Sequence, residues 1–104
     1  MKKIIKTIKV TQKHIKEGIP ENCTKCAVAL AVKEQFPDYV PSISVSYDED
    51  DYNHYGIDLH NLDGYLKTKF SKYKTVNIFI DKFDSGFYST ELKPFEFEIT
   101  AYEL

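Results

Sequence analysis

The sequence contains no arginine and no tryptophan, and only two cysteines, four glycines and four prolines among 104 residues. Because all fourteen basic residues are lysines, the chain lacks the side chain that most often contacts phosphate or guanine through two parallel hydrogen bonds. No apolar run approaches the roughly 20 residues that a membrane-spanning helix needs. The N-terminal MKKIIKTIKV begins like a signal peptide, but Lys6 and Lys9 interrupt its apolar run. We therefore expect a soluble, cytoplasmic protein with reduced thiols.

The motifs that mark common enzyme sites are also missing. The chain has no nucleophile elbow, no phosphate-binding loop and no HExxH zinc motif. Serines, histidines and carboxylates are present, but no spacing among them singles out a catalytic set. The sequence therefore predicts a protein that is not an enzyme and carries no cofactor.

What the chain does contain is enough for one small α+β domain over residues 1–104. Hydrophobic residues make up 42% of the sequence, and eight Tyr and seven Phe supply the volume of a core. Two domains of half this length would each be too small to bury a core. The charges are segregated: residues 37–63 hold seven acids and no lysine, whereas residues 1–36 hold eight lysines and three acids.

Apolar periodicity and turn residues predict the elements of the first half. Residues 4–11 read as a strand, and TQKHIKEG reads as a short helix that ends at Gly18. Asn22 or Thr24 is expected to cap a second helix. That helix should end before Pro37, because the residue preceding a proline avoids helical angles.

The second half is predicted to be mostly strands. Alternating residues of SISVSY should share one face of a strand, namely Ile43, Val45 and Tyr47. Tyr55, Ile57 and Leu59 continue this pattern beyond an acidic turn, and YLKTKF could add a third strand. The clearest helix has its apolar residues at helical spacing and stops at Gly86, and the final strand is PFEFEITAYEL. The order β-α-α-β-β-(β)-α-β predicts a mostly antiparallel sheet of four or five strands against two or three helices.

Cys23 and Cys26 open the second helical segment, ENCTKCAVALAVKEQF, and three interpretations of them are open. A zinc site needs two more ligands, and the three histidines (His14, His54 and His60) are not spaced as a ligand pair. A redox CxxC normally follows a strand and opens the helix of a βαβ unit, which this sequence does not show. The pattern favours packing, with Cys26 in a buried stripe beside Ala27, Leu30 and Ala31, and Cys23 at its rim. The alternative is a zinc- or thiol-dependent regulator that uses the Cys23/Cys26 pair.

The acidic segment SYDEDDYNHYGIDLHNLD is the other candidate site. A calcium loop does not fit, because the acids are adjacent and no closing Glu follows. One interpretation is a solvated turn that keeps the edge of the sheet soluble. The other is a contact surface, made of Tyr47, Asp48, Glu49, Asp50, Asp51, Tyr52 and Tyr55. Tyrosine is enriched at binding hot spots, and clustered carboxylates complement a basic groove that normally holds phosphates.

Two further groups could contact a partner. The N-terminal lysines could contact a phosphate backbone, although a solvated face explains them better in a chain without arginine; they are Lys2, Lys3, Lys6, Lys9, Lys13 and Lys16. Phe87 and Tyr88 follow the last helix, and we expect them to cover the edge of the core.

Two stretches of the chain resemble a family of small proteins encoded in bacteriophages, prophages and some bacterial genomes. They are IKVTQKHIKEGIPENCTKCAVALAVKE at the front and FIDKFDSGFYSTELKPFEFEI at the back, about half of the chain. Ala27 stands where similar sequences carry a proline at the first helical position. No activity is established for that family, so no residue role carries over.

What the resemblance implies is a context, the cytoplasm of a host bacterium, in which small acidic phage proteins often bind a host machine. Combined with the acidic hairpin, it predicts a non-enzymatic inhibitor that binds a host protein. A CRISPR or other defence nuclease is the expected partner, and direct binding of nucleic acid is not expected.

Overall fold

The computed structural model describes residues 2–47, 53–86 and 92–103. Its elements in chain order are β1 (Lys2–Val10), α1 (Gln12–Glu17), α2 (Ala27–Gln35), β2 (Val40–Tyr47), β3 (Asn53–Asn61), β4 (Gly64–Phe70), α3 (Tyr73–Asp84) and β5 (Phe95–Glu103). The predicted α+β class and element order are confirmed, and YLKTKF forms the additional strand, β4.

The five strands form one antiparallel sheet in the order β1-β5-β4-β3-β2. Strands β2, β3 and β4 are sequential neighbours, as expected for segments joined by short turns. The first and last strands pair along their full length, from Lys2↔Glu103 to Val10↔Phe95. The two ends of the described chain therefore lie side by side, and β2 forms the far edge of the sheet.

One face of the sheet is covered by helices, and no helix of the described ranges covers the other, which we call the open face. Alternate strand residues, including Ile8, Ile57, Leu59, Phe97 and Ile99, are buried in the core that the helices complete. The predicted apolar face of α3 (Val76, Phe79, Ile80 and Phe83) is buried as well. None of the helices within the described ranges is long and apolar enough to cross a membrane.

Most predicted helix ends are confirmed. The backbone N–H of His14 donates to the side chain of Thr11, which caps α1, and Gly18 closes that helix through its N–H and the carbonyl of His14. Helix α2 stops at Phe36, immediately before Pro37. Gly86 follows α3 with φ of 85°, a left-handed conformation that glycine adopts without strain.

The start of α2 differs from the prediction. Cys26 occupies the N-cap position and no side chain caps the helix. Asn22 instead closes the turn before it, because its Oδ1 accepts the backbone N–H groups of Thr24 and Lys25 at 3.1 and 3.0 Å. Asn22 thus stabilises a separate turn (an Asx turn) and does not cap the helix.

Two apolar residues also differ from the expected pattern. Helix α2 is buried nearly all round, including Val28, Ala29 and Val32, because α1 and the sheet contact it from different sides. Leu30, expected in the buried stripe, is only half-buried. On the edge strand β2, Val45 is 51% exposed although Ile43 is buried. The loop that carries Cys23 contacts β2 at Ile43, whose N–H donates to the Cys23 carbonyl.

Candidate functional site

The predicted acidic hairpin has a regular stem. Strands β2 and β3 pair without interruption from Val40↔His60 to Tyr47↔Asn53. Asp48, Glu49, Asp50, Asp51 and Tyr52 lie outside the described residues, as do Phe87 and Tyr88. Tyr47 and Asn53, which flank the segment with the four acids in the sequence, pair at one end of the β2–β3 ladder, the turn end of the hairpin.

Tyr55 does not form part of an exposed contact surface, and that part of the prediction is wrong. Its side chain is 6% exposed, because the alternation that buries Ile57 also turns Tyr55 toward the helices. Its hydroxyl donates a 2.5 Å hydrogen bond to Asp81 Oδ1 on α3. Its backbone N–H donates at 2.8 Å to Oδ1 of the buried Asn77. Tyr55 thus anchors the hairpin stem to α3.

Three carboxylates that the sequence pattern did not indicate lie beside the turn end of the hairpin stem. Asp81 contacts Tyr55, two residues from the start of β3. Asp84 accepts the backbone N–H of Glu21 at 2.9 Å, and Glu21 has a left-handed φ of 59°. Asp84 and Glu21 line a cavity of about 160 Å³ whose wall includes Val45 and Tyr55. The only available signal was the i, i+3 spacing of the two aspartates, which places them on adjacent turns of one helix.

The cysteine pair packs as predicted. Cys26 is 4% exposed and Cys23 is exposed, and neither forms a disulfide. Burial raises the pKa of the Cys26 thiol above its ordinary value. The carbonyl of Cys23 accepts the N–H of Ile43 at 2.8 Å, so this loop covers part of the outer edge of β2.

A zinc site at the cysteine pair has no support in the described ranges. Their His, Cys, Asp and Glu side chains form no group of three or more that could hold a metal ion. His14 is the one histidine among the buried residues described, and both of its ring nitrogens form hydrogen bonds within the protein. Its Nδ1 accepts the N–H of Thr11 at 2.9 Å, so Nε2 carries the proton and donates to Glu34 at 2.6 Å.

The described N-terminal lysines do not converge on one groove. Lys3 and Lys9 lie on the open face of β1, whereas Lys6 lies on the opposite face. Lys13 and Lys16 belong to α1, in the helical layer. This division disperses the positive charge that a phosphate backbone would need to meet.

A second candidate site lies at a gap in the sheet. Strands β3 and β4 pair from Asn61↔Gly64 to Leu59↔Leu66 and then diverge, while β4 stays paired with β5 as far as Phe70. In the gap, the Thr68 hydroxyl donates to the carbonyl oxygen of Ile57. The result is a cavity of about 630 Å³, which is in the size range of small-ligand sites.

Aromatic, charged and apolar groups line this larger cavity. The residues are Gly56, Ile57, Asp58, Tyr65, Leu66, Lys67, Thr68, Lys69, Phe70, Tyr73 and Tyr102. The inward-facing residues of YLKTKF include Leu66 and Phe70, which contact the core. The outward-facing Tyr65, Lys67 and Lys69 alternate with them, which was the available signal, but the neighbouring Tyr102 comes from β5 through tertiary pairing.

Comparisons of the chain with protein-family models, with curated proteins and with solved structures find no match. The resemblance to phage-encoded proteins therefore stays a prediction.

Proposed function

We propose that this chain is a non-enzymatic protein of a phage or other mobile element that binds a host protein through the acidic end of its β2–β3 hairpin. The partner class we propose is a nucleic-acid-binding defence effector, such as a CRISPR nuclease. The observation that carries the proposal is the position of Glu21, Asp81 and Asp84 beside the turn end of the hairpin stem, whose connection holds four more acids.

Charge imitation is the physical basis of this binding. A groove built to hold phosphates keeps a positive potential, which attracts any well-placed array of carboxylates and speeds association. Lys82 directly follows Asp81 in the sequence of α3. It lines a different cavity, beside Ile78 and Lys93. No lysine is among the described residues that line the cavity beside Glu21 and Asp84.

The hairpin stem and α3 hold the three described carboxylates, Glu21, Asp81 and Asp84, in a preformed arrangement. The eight residue pairs between β2 and β3 fix the register of the hairpin. Tyr55 joins the stem to α3 through its hydroxyl and its backbone N–H, which contact Asp81 and the buried Asn77. A preformed surface loses less conformational freedom on binding, so more of its interaction energy contributes to affinity.

The described side chains that most resemble catalytic groups are poorly suited to catalysis. Both ring nitrogens of His14 are occupied by structural partners, Thr11 and Glu34. The Cys26 thiol is buried and its pKa is raised, so little reactive thiolate forms near neutral pH. These features support binding rather than bond-making as the role of the chain.

The test is capture of the partner from a lysate of host bacteria, followed by its identification by mass spectrometry. The variant D48N/E49Q/D50N/D51N removes four charges from the hairpin connection. A matched control, E17Q/D63N/E96Q/E98Q, removes four exposed charges elsewhere. We expect a nucleic-acid-binding protein retained by the wild type and the control but lost from the hairpin variant. Equal retention by both variants would refute the hairpin as the contact.

A further inference from the structure

We propose that the cavity between β3 and β4 binds a nucleotide, through stacking on tyrosine rings and phosphate contact with lysines. This site is separate from the acidic hairpin end, since Glu21, Asp81 and Asp84 do not line it. The cavity is open on the uncovered side of the sheet, where no helix of the described chain restricts entry to Tyr65, which is 61% exposed.

The divergence of the two strands supplies hydrogen-bonding groups to the cavity. In an antiparallel pair, the backbone N–H and C=O groups of alternate residues point to opposite neighbours. The N–H of Ser71 points toward β5, where it donates to the carbonyl of Glu98 at 2.9 Å. The same alternation turns the backbone groups of Thr68 and Phe70 toward β3, where the ladder has already ended at Leu59↔Leu66. A ligand in the gap would meet these groups as well as side chains.

Aromatic rings from three elements reach the cavity. Tyr65 comes from β4, Tyr102 from β5 and Tyr73 from the first turn of α3, and Phe70 lies 5.6 Å from Tyr73 between ring centroids. A planar base can stack on such rings whatever its identity, and one base–aromatic contact contributes about 1–3 kcal/mol. Tyr65 and Tyr102 lie on the open face of the sheet, so a flat ligand that enters from that face would meet their rings first.

The charge around the cavity is opposite to the charge of the whole chain. Lys67 and Lys69 line the cavity. Tyr102 pairs with Lys67 of β4 on one side and with Lys3 of β1 on the other. Asp58 is the only carboxylate among the lining residues described. The lysines suit a phosphate, while Asp58 can accept hydrogen bonds from a base amine or a sugar hydroxyl. A nucleotide uses the rings, the cations and the carboxylate together.

Titration of the isolated full chain tests the site, with amide chemical shifts in NMR and heat of binding as readouts. The probes are AMP, UMP, an octauridine strand and inorganic phosphate. We expect saturable shifts at residues 56–58, 65–70 and 102. Binding of the mononucleotides identifies a free ligand, whereas binding of octauridine alone identifies a strand, and either result supports the proposal.

Matched variants separate the site from general electrostatic attraction. K67Q/K69Q should weaken binding about tenfold or more, as expected when two charged contacts are lost. Tyr65→Ser should weaken it about fivefold or more through lost stacking. The control K13Q/K16Q removes two exposed lysines of α1 and should leave affinity within about twofold. No saturable binding of any nucleotide probe, or equal weakening by the control, would overturn the proposal.

Discussion

The hydroxyl of Tyr55 donates a 2.5 Å hydrogen bond to Asp81 Oδ1, and this bond joins the stem of the acidic hairpin to helix α3. Tyr55 is buried and Asp81 is exposed. The buried Tyr55 thus fixes the position of the Asp81 carboxylate at the protein surface. It links the stability of the hairpin to the placement of negative charge beside it.

Replacing Tyr55 with Phe should lower the free energy of unfolding by about 1 kcal/mol, the usual contribution of one hydrogen bond to a partly exposed group. The ring would stay in the core, so the fold should persist. Urea denaturation measures the change. Asp81→Asn serves as the control, because its amide oxygen can still accept the bond. An unchanged midpoint for Tyr55→Phe would show that the contact does not support the hairpin.

A second prediction concerns His14, whose ring joins α1 to α2. His14→Ala leaves the N–H of Thr11 without this acceptor and opens space in a buried site, so unfolding should become easier by about 2 kcal/mol. Glu34→Gln should cost less than about 0.5 kcal/mol, because Glu34 is 58% exposed. Thermal unfolding of both variants gives the comparison, and similar costs for the two would contradict the role of His14.

A third prediction follows from the close approach of Gly18 to α2. A Cβ at Gly18 would lie 2.6 Å from the backbone nitrogen of Ala27 and 2.9 Å from the carbonyl oxygen of His14. Because backbone atoms cannot easily move away, Gly18→Ala should destabilise the fold by about 2 kcal/mol. Gly86→Asn is the matched control, since a side chain there meets open space and Asn tolerates positive φ. A harmless Gly18→Ala would show that the two helices separate readily.

A fourth prediction distinguishes the two cysteines. Cys23 should react rapidly with a thiol reagent in the folded protein, whereas Cys26 should react only as the protein unfolds. Mass spectrometry of peptides after timed labelling provides the rates. Equal labelling rates would contradict the packing of Cys26 at the start of α2.

The raised pKa of Cys26 also sets a direction for stability against pH. Its ordinary value is 9.0, and burial favours the neutral thiol in the folded state. The unfolded chain therefore loses the thiol proton first, so the Cys26 contribution is complete below pH 9 and is lost as the pH rises through the folded value. Cys26→Ala should flatten this alkaline decline relative to the wild type in denaturation series at increasing pH. An identical decline in both would assign it to other groups.

The local elements could be predicted from the sequence, because each depends on near neighbours in the chain. Pro37 fixes the end of α2, and the spacing of Val76, Phe79, Ile80 and Phe83 defines the buried side of α3. The expectation that Asn22 caps α2 is wrong, because an Asn side chain can close an isolated turn as well as the start of a helix. The cap of α2 was therefore ambiguous in sequence.

The features that depend on tertiary pairing could not be predicted. The position of β5 between β1 and β4 brings Tyr102 beside Lys67, although 35 residues separate them in the numbering. The neighbourhood of Glu21, Asp81 and Tyr55 likewise arises only when α3 packs on the hairpin stem. Tyr55 itself fitted two patterns, the buried alternation and the exposed acidic surface, and burial of its ring against α3 decided between them.

The most direct test of the acidic hairpin end as a protein-binding surface is calorimetry with the purified partner at two salt concentrations. The wild type and the control E17Q/D63N/E96Q/E98Q should bind with similar affinity, and both should weaken as salt rises, because salt screens exposed charge. D48N/E49Q/D50N/D51N should bind about a hundredfold more weakly, as expected for the loss of several charge contacts. Equal affinity of the hairpin variant and the wild type at the lower salt concentration, where charge is screened least, would contradict the account.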